Sequence, residues 1–173
     1  MSAKIITIFG SGNCREDSTE YQKAFDLGQA LAEEGYCLAN GGYGGTMEAA
    51  FKGSSLFNIR RIAVTAEEYG KNPNKWHTEE IKTKSYIDRL IKLIELGDAY
   101  IALAGSSGTL LEIAALWALL DRGLADKKPL LLFSGKWHEL LALMRKYSQE
   151  NDNIIACNSV MEIRDNLKLL KDK

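Results

Sequence analysis

The chain has 173 residues, a length that suits one domain covering 1–173 with a core of its own. Hydrophobic residues make up 46% of it and charged residues 26%, which is the balance of a soluble globular protein. A net charge of -1 argues against a nucleic-acid partner, and the longest apolar stretch, near 110–120, is too short to span a membrane.

Six short apolar segments predict buried strands, and the segments between them predict helices. The strands are expected at 4–10, 36–40, 60–65, 98–104, 129–133 and 153–157, and the helices near 20–34, 46–56, 84–96, 109–123, 137–149 and 160–171. Thr19 with Gln22 fits a capping box for the first helix, and Gly35 fits its end. The alternation of strand and helix favours an α/β fold: a doubly wound, Rossmann-like parallel sheet in a single domain.

One connection, 66–80, looks long and irregular. Its Gly70, Asn72, Pro73 and Asn74 are typical of a surface loop, and it is longer than a strand-to-helix connection needs. It is either an exposed insertion or a lid over a functional site, and the residues alone leave both interpretations open.

Three predicted strands end in glycine-rich turns, with the sequences GSGN at 10–13, NGGYGGT at 40–46 and GSSGT at 105–109. Ligands of open parallel sheets bind beyond the carboxyl ends of the strands, near the point where the strand order reverses. The second and third turns each run into a helix, and exposed amides at a helix start favour a phosphate or a carboxylate. The turns therefore predict one crevice that holds an anion.

Two common nucleotide-binding motifs do not fit these turns. The spacing G-x-G-x-x-G fails because Arg15 stands at the third glycine's place after Gly10, and Met47 stands there after Gly42. No G-K-[ST] sequence follows any turn, which argues against a P-loop. Enzymes that use NAD or ATP in the usual way are therefore disfavoured, and no cofactor is expected.

Glu112 follows the third turn and has two interpretations. Thr109 and Glu112 match the S/T-x-x-E capping box, in which the glutamate bonds the backbone amide of the cap. A carboxylate early in a helix, beside an anion-binding loop, is also placed to act on a bond near a bound phosphate. Glu48, which follows the second turn, is a weaker candidate for the same role.

The helix over 86–98 carries a lone arginine, Arg89. The apolar stripe that faces the core is expected to consist of Ile87, Leu90, Ile91 and Ile94. Arg89 falls on the flank beside Leu93 and Leu96. A solvated arginine is the commoner interpretation, but this flank also suits a pocket rim or a subunit contact, where a guanidinium grips phosphate.

The stretch from Arg89 through AYIALAG to Gly105-x-x-Gly108-Thr109-x-x-Glu112 resembles the Lonely Guy (LOG) family of cytokinin-activating nucleoside 5′-monophosphate phosphoribohydrolases. The resemblance covers most of the chain, from TIFGSG through NGGYGGTMEA to WHELLALM. It implies that Arg89 and Glu112 are the catalytic pair. The implied reaction is hydrolysis of an N-glycosidic bond, which gives a free base and ribose 5-phosphate.

The glycine-rich turns, read with this resemblance, also indicate which residues hold the substrate. The expected substrate- and phosphate-binding residues are Gly10, Ser11, Gly44, Gly45, Thr46, Gly105, Ser106, Ser107, Gly108 and Thr109. The chain departs from the family where Ala104-Gly105-Ser106 replaces Pro-Gly-Gly and where Leu90 replaces a lysine. Related carrier proteins for molybdenum cofactor share the fold and the arginine. The alternative is therefore a carrier that binds a nucleotide or a molybdenum-cofactor-like ligand without cleaving it.

The remaining expectations concern setting and assembly. Cys14, Cys37 and Cys157 are widely spaced, which indicates free thiols, and the first residues do not form a signal peptide, so a cytoplasmic location is expected. The His and Cys residues are not clustered in the sequence, so no metal site is expected. The resemblance, with apolar Leu93 and Leu96, predicts a homodimer or a higher symmetric homo-oligomer. The expected partner is a small nucleotide or phosphorylated ligand, with neither nucleic acid nor membrane.

Overall fold

A computed structural model describes residues 3–125, 128–146 and 151–168 of the chain. Its strands form one parallel sheet in the order β4-β3-β2-β1-β5-β6-β7. The strands are β1 (Ile5–Phe9), β2 (Cys37–Asn40), β3 (Arg61–Ala66), β4 (Glu79–Thr83), β5 (Ala99–Ala102), β6 (Leu130–Leu132) and β7 (Ile154–Ala156). The six strands predicted from the sequence are confirmed with small shifts at their ends, and β4 is additional.

Helices cover both faces of this sheet. In the described part of the chain they are α1 (Thr19–Glu33), α2 (Thr46–Ser54), α3 (Tyr86–Leu96), α4 (Ser107–Asp121), α5 (Gly135–Met144) and α6 (Val160–Lys168). Apolar side chains of α1, α2 and α6 form a core on one face, and those of α3, α4 and α5 form a core on the other. The predicted doubly wound α/β fold is thereby confirmed. The ends expected for the last two helices, at 149 and 171, lie outside the described residues.

Helices α1 and α2 pack with their backbones in close contact, through two glycines. A Cβ added at Gly28 would lie 2.0 Å from the carbonyl oxygen of Ala50, and one at Gly53 would lie 2.1 Å from that of Phe25. A side chain at either position would push the two helices apart. The contact therefore fixes α2, and the glycine-rich turn at its start, against its neighbour.

The segment 66–80 is only in part the long irregular loop that its composition predicts, because residues 70–78 are irregular and the rest belongs to regular elements. It contains a 3-10 helix, Glu67–Tyr69, and the first residues of β4. β4 is the edge strand of the sheet, and its sequence EEIKT is mostly charged. Charged residues are typical of edge strands, which need no apolar run because little of the strand is buried. A search for apolar segments consequently misses this strand.

The predicted cap of α1 is wrong by one residue. The cap is Ser18, whose hydroxyl accepts a hydrogen bond from the Tyr21 amide at 3.2 Å, and not the Thr19–Gln22 box. Gly35 follows the helix as expected and has a φ of +82°, in the left-handed region that favours glycine.

The predicted core stripe of α3 is confirmed for Leu90 and Ile94 and wrong for Ile87 and Ile91. Its buried residues are Arg89, Leu90, Leu93 and Ile94. Ile87 and Ile91 are 56% and 45% exposed. Apolar residues occur on more than one side of this helix, so its spacing permits two stripes, and the buried one includes the arginine. Leu93 is therefore a core residue and is not available for the predicted subunit contact.

The strand order reverses between β1 and β5. From β1 the chain continues to β2, β3 and β4 on one side of the sheet, and it then crosses to β5, β6 and β7 on the other. β2 and β5 both pair with β1, so the glycine-rich turns that follow these three strands meet at one edge. The crevice that the turns predict is present there.

Candidate functional site

A cavity of about 490 Å³ lies where these three turns meet α3 and α4, within the size range of small-molecule sites. Of the residues predicted for the site, its lining includes Gly10, Ser11, Gly44, Arg89, Ser106, Gly108, Thr109 and Glu112. Gly45, Thr46, Gly105 and Ser107 are predicted site residues that do not line it. The structure thus brings both candidate catalytic residues and parts of all three turns around one space.

Gly45, Thr46 and Gly105 support the turns from behind. The amide and the hydroxyl of Thr46 both donate to the carbonyl oxygen of Ser11, at 3.0 and 3.3 Å. Gly45 has a φ of +66°, and a Cβ there would lie 2.2 Å from the same oxygen. A Cβ at Gly105 would lie 2.1 Å from the Thr109 hydroxyl. These contacts hold the first two turns together and fold the third turn tightly onto α4.

The two helix starts at the cavity differ in charge and in free amides. In α2 the first amide, that of Thr46, is already bonded, and Glu48 adds a carboxylate to the first turn. In α4 the amides of Ser107, Gly108 and Thr109 have no hydrogen-bond acceptor among the described residues, and the first turn contains no acidic residue. Unbonded amides and a positive dipole end attract anions. The start of α4 is therefore the better anion site of the two.

Arg89 is buried at the inner end of the cavity, with 5% of its surface exposed. Its Nε donates to the carbonyl oxygen of Val64 at 2.9 Å. Its Nη2 packs against Gly41, where a Cβ would lie only 1.5 Å from that nitrogen. The guanidinium carbon also lies 5.7 Å from the ring centre of Tyr43 and 5.9 Å from that of Tyr86. Backbone and rings thus hold the guanidinium in one orientation toward the cavity.

Glu112 lies beside this guanidinium and is nearly as buried, with 6% of its surface exposed. Its Oε1 is 3.6 Å from Arg89 Nη1, an ion-pair distance that is too long for a hydrogen bond. Burial raises the pKa of Glu112 to about 7, and the charge of Arg89 offsets only part of that effect. The carboxyl group is consequently poised to gain or lose a proton near neutral pH.

The structure contradicts the capping-box interpretation of Glu112. α4 begins at Ser107 with Ser106 as its cap, and no side chain caps its amides. A residue that caps a helix by this motif stands in the first turn. Glu112 lies beyond that turn and therefore does not cap α4. Helical side chains tilt toward the amino end of their helix, which brings this carboxylate back under the GSSGT turn.

The sequence interpretation missed an aromatic part of the site. Tyr43, Tyr69 and Tyr86 line the cavity, and so do Lys71 to Asn74 from the segment after the 3-10 helix. Asn74 donates through its side-chain amide to the carbonyl oxygens of Gly42 and Tyr43, both at 2.8 Å. The only signal in the sequence is the unusual length of 66–80, which fits a lid as well as an exposed insertion. The weaker candidate Glu48 also lines the cavity.

The described residues show neither a metal cluster nor a membrane span. They contain no group of three or more His, Cys, Asp or Glu residues arranged to hold a metal ion. None of their helices is long and apolar enough to cross a membrane.

Comparison with known proteins places the chain in a family. The model of the SLOG cluster4 family matches residues 3–164, nearly the whole chain. The chain belongs to the SLOG cluster4 family. This membership agrees with the family resemblance noted in the sequence. An uncharacterized protein of Archaeoglobus fulgidus is 33% identical to this SLOG protein over 109 residues, which are 63% of this chain and 70% of the relative.

Solved structures share the fold over almost the full length. The molybdenum cofactor binding protein from Rippkaea orientalis is 24% identical, with a TM-score of 0.80 over 98% of both chains. The molybdenum cofactor carrier protein from Chlamydomonas reinhardtii is 20% identical, with a TM-score of 0.80 over 99% of this chain and 100% of the other. At these identities the similarity establishes the fold of this SLOG cluster4 protein.

Proposed function

We propose that the cavity binds a nucleoside 5′-monophosphate and that the protein hydrolyses its N-glycosidic bond, releasing the free base and ribose 5-phosphate. The observation that carries this proposal is the buried Arg89–Glu112 pair in the wall of the cavity. An ionised carboxylate adds nothing to the binding of an anion, because its own charge repels phosphate. In a hydrolase the same carboxylate has a chemical role, and strongly shifted pKa values cluster at such sites.

The phosphate binds at the start of α4 in this proposal. The unbonded amides of Gly108 and Thr109, which line the cavity, donate to its oxygens, and Arg89 supplies a fixed positive charge nearby. Glu48 disfavours the start of α2 as a second phosphate site. The turn at Gly44 and Gly45 then shapes the cavity wall and does not hold the phosphate itself.

Glu112 acts as the base in the proposed reaction. Glycosidic cleavage passes through an oxocarbenium-like state, in which the sugar carbon becomes positively charged. The carbon–nitrogen bond breaks with its electron pair on the nucleobase, and water adds to the sugar carbon. Ionised Glu112 takes the proton from that water. The departing nucleobase takes up one proton, which balances the proton that water loses. A pKa near 7 suits this role, since a general base works best when its pKa lies near the working pH.

The second candidate is a carrier that holds a nucleotide or a molybdenum-cofactor-like ligand intact. It is favoured by the similarity in fold to molybdenum cofactor binding and carrier proteins, which extends over nearly the whole chain. The cavity volume of about 490 Å³ suits a small phosphorylated ligand in either case.

Incubation with purine and pyrimidine nucleoside 5′-monophosphates separates the two candidates. Free base and ribose 5-phosphate are quantified by liquid chromatography and compared with the matching nucleosides, which lack the phosphate. Hydrolysis of a monophosphate, with little hydrolysis of its nucleoside, supports the enzyme. Tight binding of a monophosphate with no product over many hours supports the carrier.

We also propose that the protein works as a homodimer through exposed apolar residues of α3 and α4. Ile87 and Ile91 on α3, and Leu110 and Leu111 on α4, are between 40% and 56% exposed. The two helix starts adjoin, since a Cβ at Gly108 would lie 3.2 Å from the Tyr86 hydroxyl. Burying such a surface against a second copy is favourable.

The three cysteines are unpaired, which favours a cytoplasmic setting.

A further inference from the structure

Three tyrosine rings form a continuous aromatic wall in the cavity. The ring centres of Tyr43 and Tyr69 are 5.3 Å apart, and those of Tyr69 and Tyr86 are 5.8 Å apart, both in edge-to-face geometry. All three line the same space as the α4 start and Arg89. The cavity therefore combines an anion-binding part with an aromatic part.

Two members of this wall are fixed by hydrogen bonds. The Tyr43 hydroxyl accepts from the Ala66 amide at 3.1 Å. The backbone amide of Tyr86 donates to the Glu68 carboxylate at 2.8 Å. That bond also ties the 3-10 helix to the start of α3. The Tyr43 ring and the backbone that carries Tyr86 are thus set in place before any ligand arrives.

Tyr69 is the open member of the wall. It is 44% exposed, although it lines the cavity, and it ends the 3-10 helix Glu67–Tyr69. Gly70 follows it with a φ of +57° and has no atom near its Cβ position. Burial raises the pKa values of Tyr69 and Tyr86, so both phenols remain neutral across the physiological range. A neutral ring that is partly exposed inside a binding cavity has free surface for a ligand.

We propose that Tyr69, supported by Tyr43 and Tyr86, is the stacking site for the planar heteroaromatic ring of the ligand. The ligand class is a small phosphorylated molecule with an aromatic ring, of which a nucleoside monophosphate is the simplest. This inference rests on the proposed binding of phosphate in the same cavity. Stacking accepts any flat ring, because every base has a π-face, so Tyr69 contributes affinity for ring-bearing ligands as a class.

Calorimetric titration with two ligands tests the inference. AMP carries a base, whereas ribose 5-phosphate carries the same phosphorylated sugar without one. Tyr69→Ala is expected to weaken AMP binding about 5- to 150-fold, the usual range for loss of one base-stacking ring, and to leave ribose 5-phosphate binding unchanged. Tyr69→Phe keeps the ring and is expected to bind AMP as the natural protein does. Leu56→Ala, which truncates a side chain that is 84% exposed and outside the cavity, is the control.

The outcomes separate this inference from the function on which it rests. Equal affinity of the natural protein for AMP and ribose 5-phosphate, or equal weakening of both by Tyr69→Ala, overturns the stacking role and leaves phosphate binding intact. Failure of the natural protein to bind either compound overturns both proposals. Unchanged binding of ribose 5-phosphate to Tyr69→Ala shows at the same time that the variant is folded.

Discussion

Replacing Glu112 with glutamine removes a buried charge but keeps the size and shape of the side chain. Glu112 is 6% exposed, and its pKa is about 7 against an ordinary value of 4.5. Burial is the main cause, and Arg89, at 3.6 Å, opposes it only in part. The ionised carboxylate therefore lowers the stability of the folded protein. We expect Glu112→Gln to make the protein more stable than its natural form above neutral pH.

The size and the pH range of the effect follow from the two pKa values. The folded protein holds the Glu112 proton more tightly than the unfolded chain does. The stability that this proton contributes is therefore fully present below pH 4.5 and declines as the pH rises toward 7. One pKa unit is worth about 1.4 kcal/mol, so the loss from 4.5 to about 7 is on the order of 3 kcal/mol. Glutamine does not titrate. The stability gained by the variant should thus grow from near zero at pH 4.5 to about that value at pH 8.

Urea unfolding measured by tryptophan fluorescence between pH 4.5 and 8 gives the free energy of unfolding for both proteins. Glu139→Gln is the matched control, because Glu139 is an exposed glutamate of α5 outside the cavity. Its effect on the free energy of unfolding should be small, because the side chain is exposed. A Glu112→Gln variant that is less stable by about 3–5 kcal/mol at pH 8 would refute the reasoning, since that result means a net stabilising ion pair with Arg89.

Three further predictions follow from the contacts of the cavity and the helix surface. Arg89→Ala should weaken AMP binding about 10- to 100-fold, as expected for a lost charge-assisted bond, and Arg89→Lys should recover only part of that affinity. Calorimetry that finds adenosine binding weakened by the same factor would contradict a role of Arg89 in holding phosphate. Gly41→Ala should give a similar loss because its Cβ displaces the Arg89 guanidinium, while Gly135→Ala, which meets no atom within 4 Å, should bind AMP normally. The double substitution Ile87→Glu and Leu111→Glu should convert a dimer to a monomer in sedimentation equilibrium, and a natural protein that is already monomeric at micromolar concentration would contradict the proposed surface.

The sequence predicts most of the sheet because its strands are buried on both faces. β1, β2, β5 and β6 are apolar runs bounded by turns, and such runs are visible without a structure. β4 is not visible in this way, since an edge strand with the sequence EEIKT has the composition of a loop. The sequence therefore predicts the buried strands, whose packing on both faces requires apolar residues, better than it predicts the edge strand.

The site is only partly predictable for a similar reason. Glycine-rich turns at strand ends mark the crevice, and the family resemblance singles out Arg89 and Glu112. Arg89 is nevertheless on the buried face of α3, which its helix spacing did not predict, because its buried partners come from distant segments. The tyrosine wall joins residues 43, 69 and 86 across the sheet edge, and no local pattern connects them.

Quantitative comparison of the natural protein with Glu112→Gln on one nucleoside 5′-monophosphate tests the central claim most directly. Binding is measured by calorimetry, and free base and ribose 5-phosphate are measured by chromatography from the same samples. We predict that the natural protein releases base and ribose 5-phosphate in equal amounts over many turnovers. The variant should bind with similar affinity and lose most of this turnover, because only ionised Glu112 takes the proton from water. Equal turnover by both proteins, or tight binding without product by the natural protein, would contradict the claim.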